Sequence, residues 1–386
     1  MNIVLAAGGT GGHMVPAHAL AAELMTRGHG AMLVTDERGA RIPALFGNVP
    51  VHVLPAGRIG GGPIGLLKAF GSVIAGRRAA KRLYREHTPD AVVGFGGYPA
   101  FPALLAASSL RIPTVLHEQN AVLGRVNRML ASRAAAIATS YDQVQRLKRP
   151  WESKTEVVGN PVRAEVVRWG TLPFPPFDDI APLKILVTGG SQGASILSDV
   201  VPEAMALLDP SLRHRLQLVQ QCRPDEIDAV RARYAELGIP AELMTYLEDM
   251  PARIGAAHLV IARAGASTIA ELTAAGRPAI LVPLPSATDD HQSFNAREMA
   301  RAGGARMIPQ ADFTPAVLAQ QVEALAGDAQ GLANAAARSL SVGRPHAARD
   351  LADLVERVAG GHSPAIVGKI SRARTIGFST GAGVPA

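Results

Sequence analysis

The chain has 386 residues, 39 basic against 32 acidic side chains for a net charge of +7, and a single cysteine, Cys222. The length suggests two domains, each able to bury a full core, and 48% apolar with 18% charged residues excludes a mainly disordered or fibrous chain. One cysteine excludes an intrachain disulfide and a zinc site built on several cysteines, and an aromatic content of 4% leaves little for a single-stranded nucleic-acid platform. The charge is uneven: residues 1–163 hold 19 basic and 9 acidic side chains, the remainder 20 and 23. With nucleic acid disfavoured, a basic first half suits an anionic membrane surface or a phosphorylated substrate.

Met1 leads straight into the strand-like run Ile3–Ala6, so no secretory signal is expected. Further strands are predicted at Ala31–Thr35, Val51–Leu54, Ala91–Val93 and Thr114–Leu116, and helices over 16–27, 64–86 and 102–110. That alternation argues for parallel α/β architecture. The uncharged window Ala91–Leu110 has the length of a membrane span, but Gly94, Gly96, Gly97, Pro99 and Pro102 crowd its first half, and it reads as strand, loop and buried helix. A Pro-rich stretch over 169–182 reads as a linker. The pattern then restarts, because Lys184–Thr188 runs into Gly189-Gly-Ser-Gln-Gly-Ala194 as Asn2–Ala6 runs into Ala7-Gly-Gly-Thr-Gly-Gly-His13. The organisation expected is two Rossmann-like halves, 1–163 (joined by a helix around 345–358) and 164–344, with 361–386 as a flexible tail.

A strand that ends in glycines and feeds a helix can cradle phosphate, since bare backbone lets N–H groups approach an anion at the positive helix end. Each such turn alone is also an ordinary tight turn. This chain has three, Gly8–His13, Gly94–Gly97 and Gly189–Ala194, and none carries the P-loop pattern. The first also lacks the last glycine of the dinucleotide fingerprint, which disfavours nicotinamide and flavin cofactors. His13 stands where a reacting group would be, and we read it as a catalytic general base. Glu271, shortly after the apolar run Leu259–Ala262, suits ribose hydroxyls as well as a helix dipole. The cluster Asp289-Asp290-His291-Gln292 suits sugar hydroxyls, and its spacing is poor for a metal; no metal and no cofactor are expected.

Taken together, Gly9-Thr-Gly-Gly-His13, Gly94-Phe-Gly-Gly-Tyr-Pro-Ala100, His117-Glu-Gln-Asn120, Gly159-Asn-Pro-Val-Arg163, Gly189-Gly-Ser-Gln-Gly-Ala194, Arg263-Ala-Gly-Ala-Ser267 with Glu271, and His291-Gln292 with Asn295 resemble, in order, the MurG family of peripheral membrane glycosyltransferases. The resemblance covers about residues 2–358. It implies a GT-B fold, in which two Rossmann-like domains with parallel sheets face a central cleft. The activity it implies is inverting transfer of N-acetylglucosamine from UDP-N-acetylglucosamine to the C4 hydroxyl of the muramoyl unit of lipid I, giving lipid II for peptidoglycan and so serving cell shape and division.

By the same resemblance, Thr10, Gly11, Gly12, Asn120, Arg163, Ser191, Leu247, Arg263, Ala266, Glu271 and Gln292 bind the donor. Gly11, Gly12, Gly96, Gly97 and Tyr98 form the acceptor diphosphate loops. The segment 283–292 is about one residue longer than the family's form. The implied location is the cytoplasmic face of the bacterial inner membrane, with cell-wall synthesis proteins as further partners. The residues themselves add a membrane argument: Leu66, Leu67 and Phe70 beside Arg77, Arg78, Lys81 and Arg82 form an apolar and basic helix that suits an anionic bilayer as well as an ordinary solvated face. The rival readings are another GT-B UDP-sugar transferase or epimerase, and a non-catalytic nucleotide-binding module.

Overall fold

The structure, a computed structural model, describes residues 1–9, 11–40, 46–56, 62–178, 180–190 and 193–361, with residues 62–68 described by their backbone alone. Its strands form two wholly parallel sheets. The first joins β1 (Asn2–Ala6), β2 (Gly30–Thr35), β3 (Val51–Val53), β4 (Ala91–Gly94), β5 (Thr114–Glu118), β6 (Ala136–Thr139) and β7 (Thr155–Val157) in the order 3-2-1-4-5-6-7. The second joins β8 (Leu183–Thr188), β9 (Leu216–Gln221), β10 (Ala241–Met244), β11 (Leu259–Ala262), β12 (Ala279–Leu281) and β13 (Ala305–Met307) in the order 10-9-8-11-12-13. Central strands are buried on both faces, as β4 and β11 show along their whole length, which is why they read as continuous apolar runs.

In each sheet the strand order reverses between the first strand and its other neighbour, β1 against β4 and β8 against β11. Ligands of open parallel sheets bind beyond the carboxyl ends of strands at such a switch point. Ala6 pairs with Gly94 and Thr188 with Ala262, so the turns after these four strands meet in two pairs. All three glycine turns, and Arg263–Gly265, therefore lie at switch points.

Two differences from the sequence reading have physical causes. The first helix spans Gly11–Thr26 rather than starting at 16, because Pro16 is carried inside the helix instead of opening it. His13 is thus a first-turn helical residue. The stretch 169–182 begins inside the helix Ala164–Gly170, and then Phe174 and Phe177 pack on His258 at 6.0 and 5.2 Å while Arg277 and Arg215 stack over their rings. What reads as a free linker is a strap held by aromatic contacts. At its end the chain returns to the first sheet: the helix Ala347–Ala359 buries Leu351, Leu354, Val355 and Val358 against Met14, Leu20 and Leu24, and Arg27 reaches Asp353 at 2.6 Å. The expected tail lies outside the described residues apart from Gly361.

Candidate active site

On the first sheet's side, β1 delivers His13 through the turn and β4 delivers Gly96 and Gly97, whose backbones are left-handed at φ 84° and 77°. A Cβ at Gly97 would lie 3.4 Å from the His13 ring and 3.2 Å from Gly8, so the glycines let backbone and imidazole stack closely. The ring donates a hydrogen bond to the Gly8 backbone carbonyl, which holds it in place and favours its protonated form. Desolvation, helped by the neighbouring His291, pulls the His13 pKa down to about 4, and the imidazole is neutral at pH 7. Gly11 and Gly12 open the same helix, and Tyr98 is 41% exposed beside Gly97.

β5 ends in a buried polar cluster. The Nε2 of His117 contacts the Gly159 carbonyl at 2.9 Å and its Nδ1 meets Gln119 Nε2 at 3.0 Å, which assigns the proton to Nε2. Burial lowers the His117 pKa to about 4 as well. The Glu118 carboxyl accepts from Asn120 N (3.1 Å), Asn120 Nδ2 (3.2 Å), Gly124 N (2.7 Å) and Asn127 Nδ2 (2.8 Å). Burial raises its pKa and these four donors oppose the rise. The effect is to fix Asn120 at the cleft.

On the second sheet's side, Gly190 and Gly193 turn at φ 79° and 69° after β8, ahead of the helix Ser195–Leu207. Arg163 Nε and Nη2 donate to one oxygen of Glu271, Oε1, at 3.1 and 2.7 Å. The candidate diphosphate and ribose residues are thus paired, and Arg163 counters the upward push of burial on the Glu271 carboxyl. Gln292 Oε1 accepts from Ala264 N (3.2 Å) and Leu284 N (3.0 Å), so its carbonyl oxygen is committed to the scaffold. Arg263 donates to the Val282 and Pro283 carbonyls and to Gln310 Oε1 and is 8% exposed; it braces the end of β12. Ala266 opens the helix Ala266–Ala275, and the Leu247 side chain belongs to the core beneath.

Asn295 joins the halves. It donates to Asn120 Oδ1 at 3.0 Å and accepts from Ala121 N at 2.8 Å. The resulting cleft includes a pocket of about 220 Å³ lined by His13, Gly97 and Glu118 from one half and Thr288, Asp289 and His291 from the other. A second pocket, of about 780 Å³, lies within the first half and is walled by Gly8, Gly9, His13, Arg38, Ser72 and Tyr98.

Thr10, Ser191, and the side chains of Leu66 and Leu67 lie outside the described residues. Of the other helix residues, Phe70 is 64% exposed, with Arg77, Arg78 and Arg82 exposed and Lys81 half-buried. Among the described residues no helix is long and apolar enough to cross a membrane, and no group of three His, Cys, Asp or Glu side chains is placed to hold a metal. Asp289 is instead committed to arginines. The sequence reading missed Glu118, Asn127 and Asn295 as site residues, although Glu118 and Asn295 lie in motifs it had singled out.

Residues 3–139 match the glycosyltransferase family 28 N-terminal domain, and residues 184–355 match its C-terminal domain. The chain belongs to glycosyltransferase family 28. Similar family 28 proteins carry the name UDP-N-acetylglucosamine–N-acetylmuramyl-(pentapeptide) pyrophosphoryl-undecaprenol N-acetylglucosamine transferase. The one from Zymomonas mobilis is 61% identical over 92% of this chain and 92% of its own length. That from Erythrobacter litoralis is 57% identical over 99% and 97%. Among solved structures, MurG from Acinetobacter baumannii superimposes with a TM-score of 0.73 at 30% identity, covering 92% of this chain and all (100%) of that one. This family 28 chain is a glycosyltransferase with the GT-B fold expected from its sequence.

Proposed function

We propose that the enzyme transfers N-acetylglucosamine from UDP-N-acetylglucosamine to the muramoyl C4 hydroxyl of lipid I, with inversion, releasing UDP and lipid II. The names of its relatives support the donor and acceptor. The observation that carries the site reading is that His13 walls both pockets. An acceptor hydroxyl in the larger pocket and a donor anomeric carbon in the cleft would meet at this ring. The hydroxyl oxygen attacks that carbon as His13 takes its proton, and the bond to the UDP oxygen breaks on the opposite face. Arg163, once released from Glu271, and the turn amides after β8 neutralise the departing diphosphate, as preorganised donors do. The ribose then occupies the freed Glu271 carboxylate, and Gln292 and Asn120 hold the sugar.

The same reading divides the chain into an acceptor unit, 1–163 with 345–358, and a donor unit, 164–344. It places the enzyme peripherally on the cytoplasmic face of the inner membrane. The exposed Phe70 next to exposed arginines supports docking on anionic lipid, worth about 1 kcal/mol per basic residue. The transfer is tested by UDP release from UDP-N-acetylglucosamine with and without a lipid I analogue. Acceptor-dependent release is expected, and release that ignores the acceptor overturns the reading. Sedimentation with anionic and neutral vesicles tests docking: binding to anionic vesicles alone is expected, lost when Arg77, Arg78, Lys81 and Arg82 are changed to Glu.

A further inference from the structure

The cleft is crossed by an ion-pair cluster on which the mechanism above makes no demand. Asp289 Oδ2 accepts from Arg128 Nη2 at 3.1 Å, and its Oδ1 lies 3.0 Å from Arg146 Nη2. Both arginines belong to the first half and Asp289 to the second. The backbone at this contact is unusual. Arg146, Asp289 and Asp290 have φ of 64°, 56° and 54°, three of the five non-glycine residues with positive φ among the described residues. Side chains with a Cβ seldom hold that conformation unless their surroundings impose it. Here the surroundings are the two arginines and Ser293 Oγ, which donates to Asp290 Oδ1 at 2.7 Å. The turn so formed sets the direction of the helix His291–Ala302, whose first residues are His291, facing His13 in the cleft pocket, and Gln292.

We propose that Asp289 is a positioning residue: gripped by Arg128 and Arg146 across the cleft, it sets the 288–292 turn for the donor sugar only while the two halves are closed together. The proposal rests on the assignment of Gln292 to that sugar. Uridine and diphosphate, held after β8 and by Glu271, do not need the turn.

Asp289→Asn is expected to raise KM for UDP-N-acetylglucosamine about tenfold, with UDP affinity by calorimetry and the Tm nearly unchanged. Asp289→Glu should recover most of the loss. Arg128→Gln with Arg146→Gln should match Asp289→Asn, and adding that change to the pair should do no further harm. An unchanged KM in Asp289→Asn overturns the proposal, as does a loss of UDP affinity and Tm in step with KM. Gln292→Ala separates the two layers: if it leaves KM unaltered, the donor assignment fails and the proposal with it; if it raises KM while Asp289→Asn does not, only the latch fails.

Discussion

The glycine turns after β1 and β8 are nearly the same in sequence, yet glycine serves different ends in them. After β1, Gly8 and Gly9 have no positive φ; a Cβ at Gly9 would fall 2.5 Å from Asp36 Oδ1, and one at Gly8 3.0 Å from Pro99. These glycines make room, and the helix starts at once with His13 in its first turn. After β8, Gly190 and Gly193 are needed for left-handed backbone, and the helix start is delayed to Ser195. One turn presents a titratable ring, and the other carries no titratable group and in the proposed mechanism offers its backbone to the diphosphate. Two turns of one pattern can thus be divided between proton transfer and anion stabilisation.

The largest effect that would break this division is on His13. His13→Ala should lower kcat by on the order of 10²–10⁴, the contribution of a general base, while UDP binding by calorimetry stays near normal. Near-normal turnover would remove the ring from the chemistry. Next comes Arg163→Met, which should cost on the order of 10²–10³ in rate, as loss of one donor to developing charge does, and should weaken UDP binding, unlike the histidine change. If both variants lost UDP affinity alike, the division would fail.

A third test uses pH. His13 and His117, both in the first half, have folded pKa values of about 4 against 6.5 when unperturbed. The unfolded chain therefore binds more protons than the folded one between those values, so stability is full above about pH 6.5 and falls as pH drops toward 4. Denaturant midpoints should follow this course, and His117→Gln should flatten it. The first half also has His18 lowered by burial, whereas the second half has His258, so hydrogen exchange at acid pH should show the first half opening earlier, with three such residues against one among the described residues. Equal loss of protection in both halves would contradict the comparison.

The smallest effects sharpen it. Gly193→Ala places a Cβ 2.9 Å from Arg223 Cγ on left-handed backbone and should cost about 1–2 kcal/mol by denaturant unfolding. Gly12→Ala, with nothing within 4 Å of the added Cβ, should be neutral or stabilising by about 0.5–1 kcal/mol. A larger loss at Gly12 would mean that the first turn, too, depends on glycine for its backbone.

Much of the fold was legible because its signals are local. Apolar runs such as Val4–Ala6 and Leu259–Ala262 identify buried parallel strands, and glycines after them identify turns, whatever the rest of the chain does. The repeat of strand and glycine turn at Asn2 and Lys184 likewise determined two halves, and His13 as the one titratable group within such a turn. Tertiary structure alone decided what those groups meet. Pro16 looked like a helix start, but a buried helix face carrying Met14 and Ala17 outweighs one missing hydrogen bond and extends the helix back to Gly11. The pairing of Arg163 with Glu271, 108 residues away, and of Asp289 with Arg128 and Arg146 across the cleft, has no periodic trace in sequence. Such contacts depend on the order of strands in two sheets and on how the two halves face each other. Local residue spacing does not encode these long-range choices, so they appear only once the chain is folded.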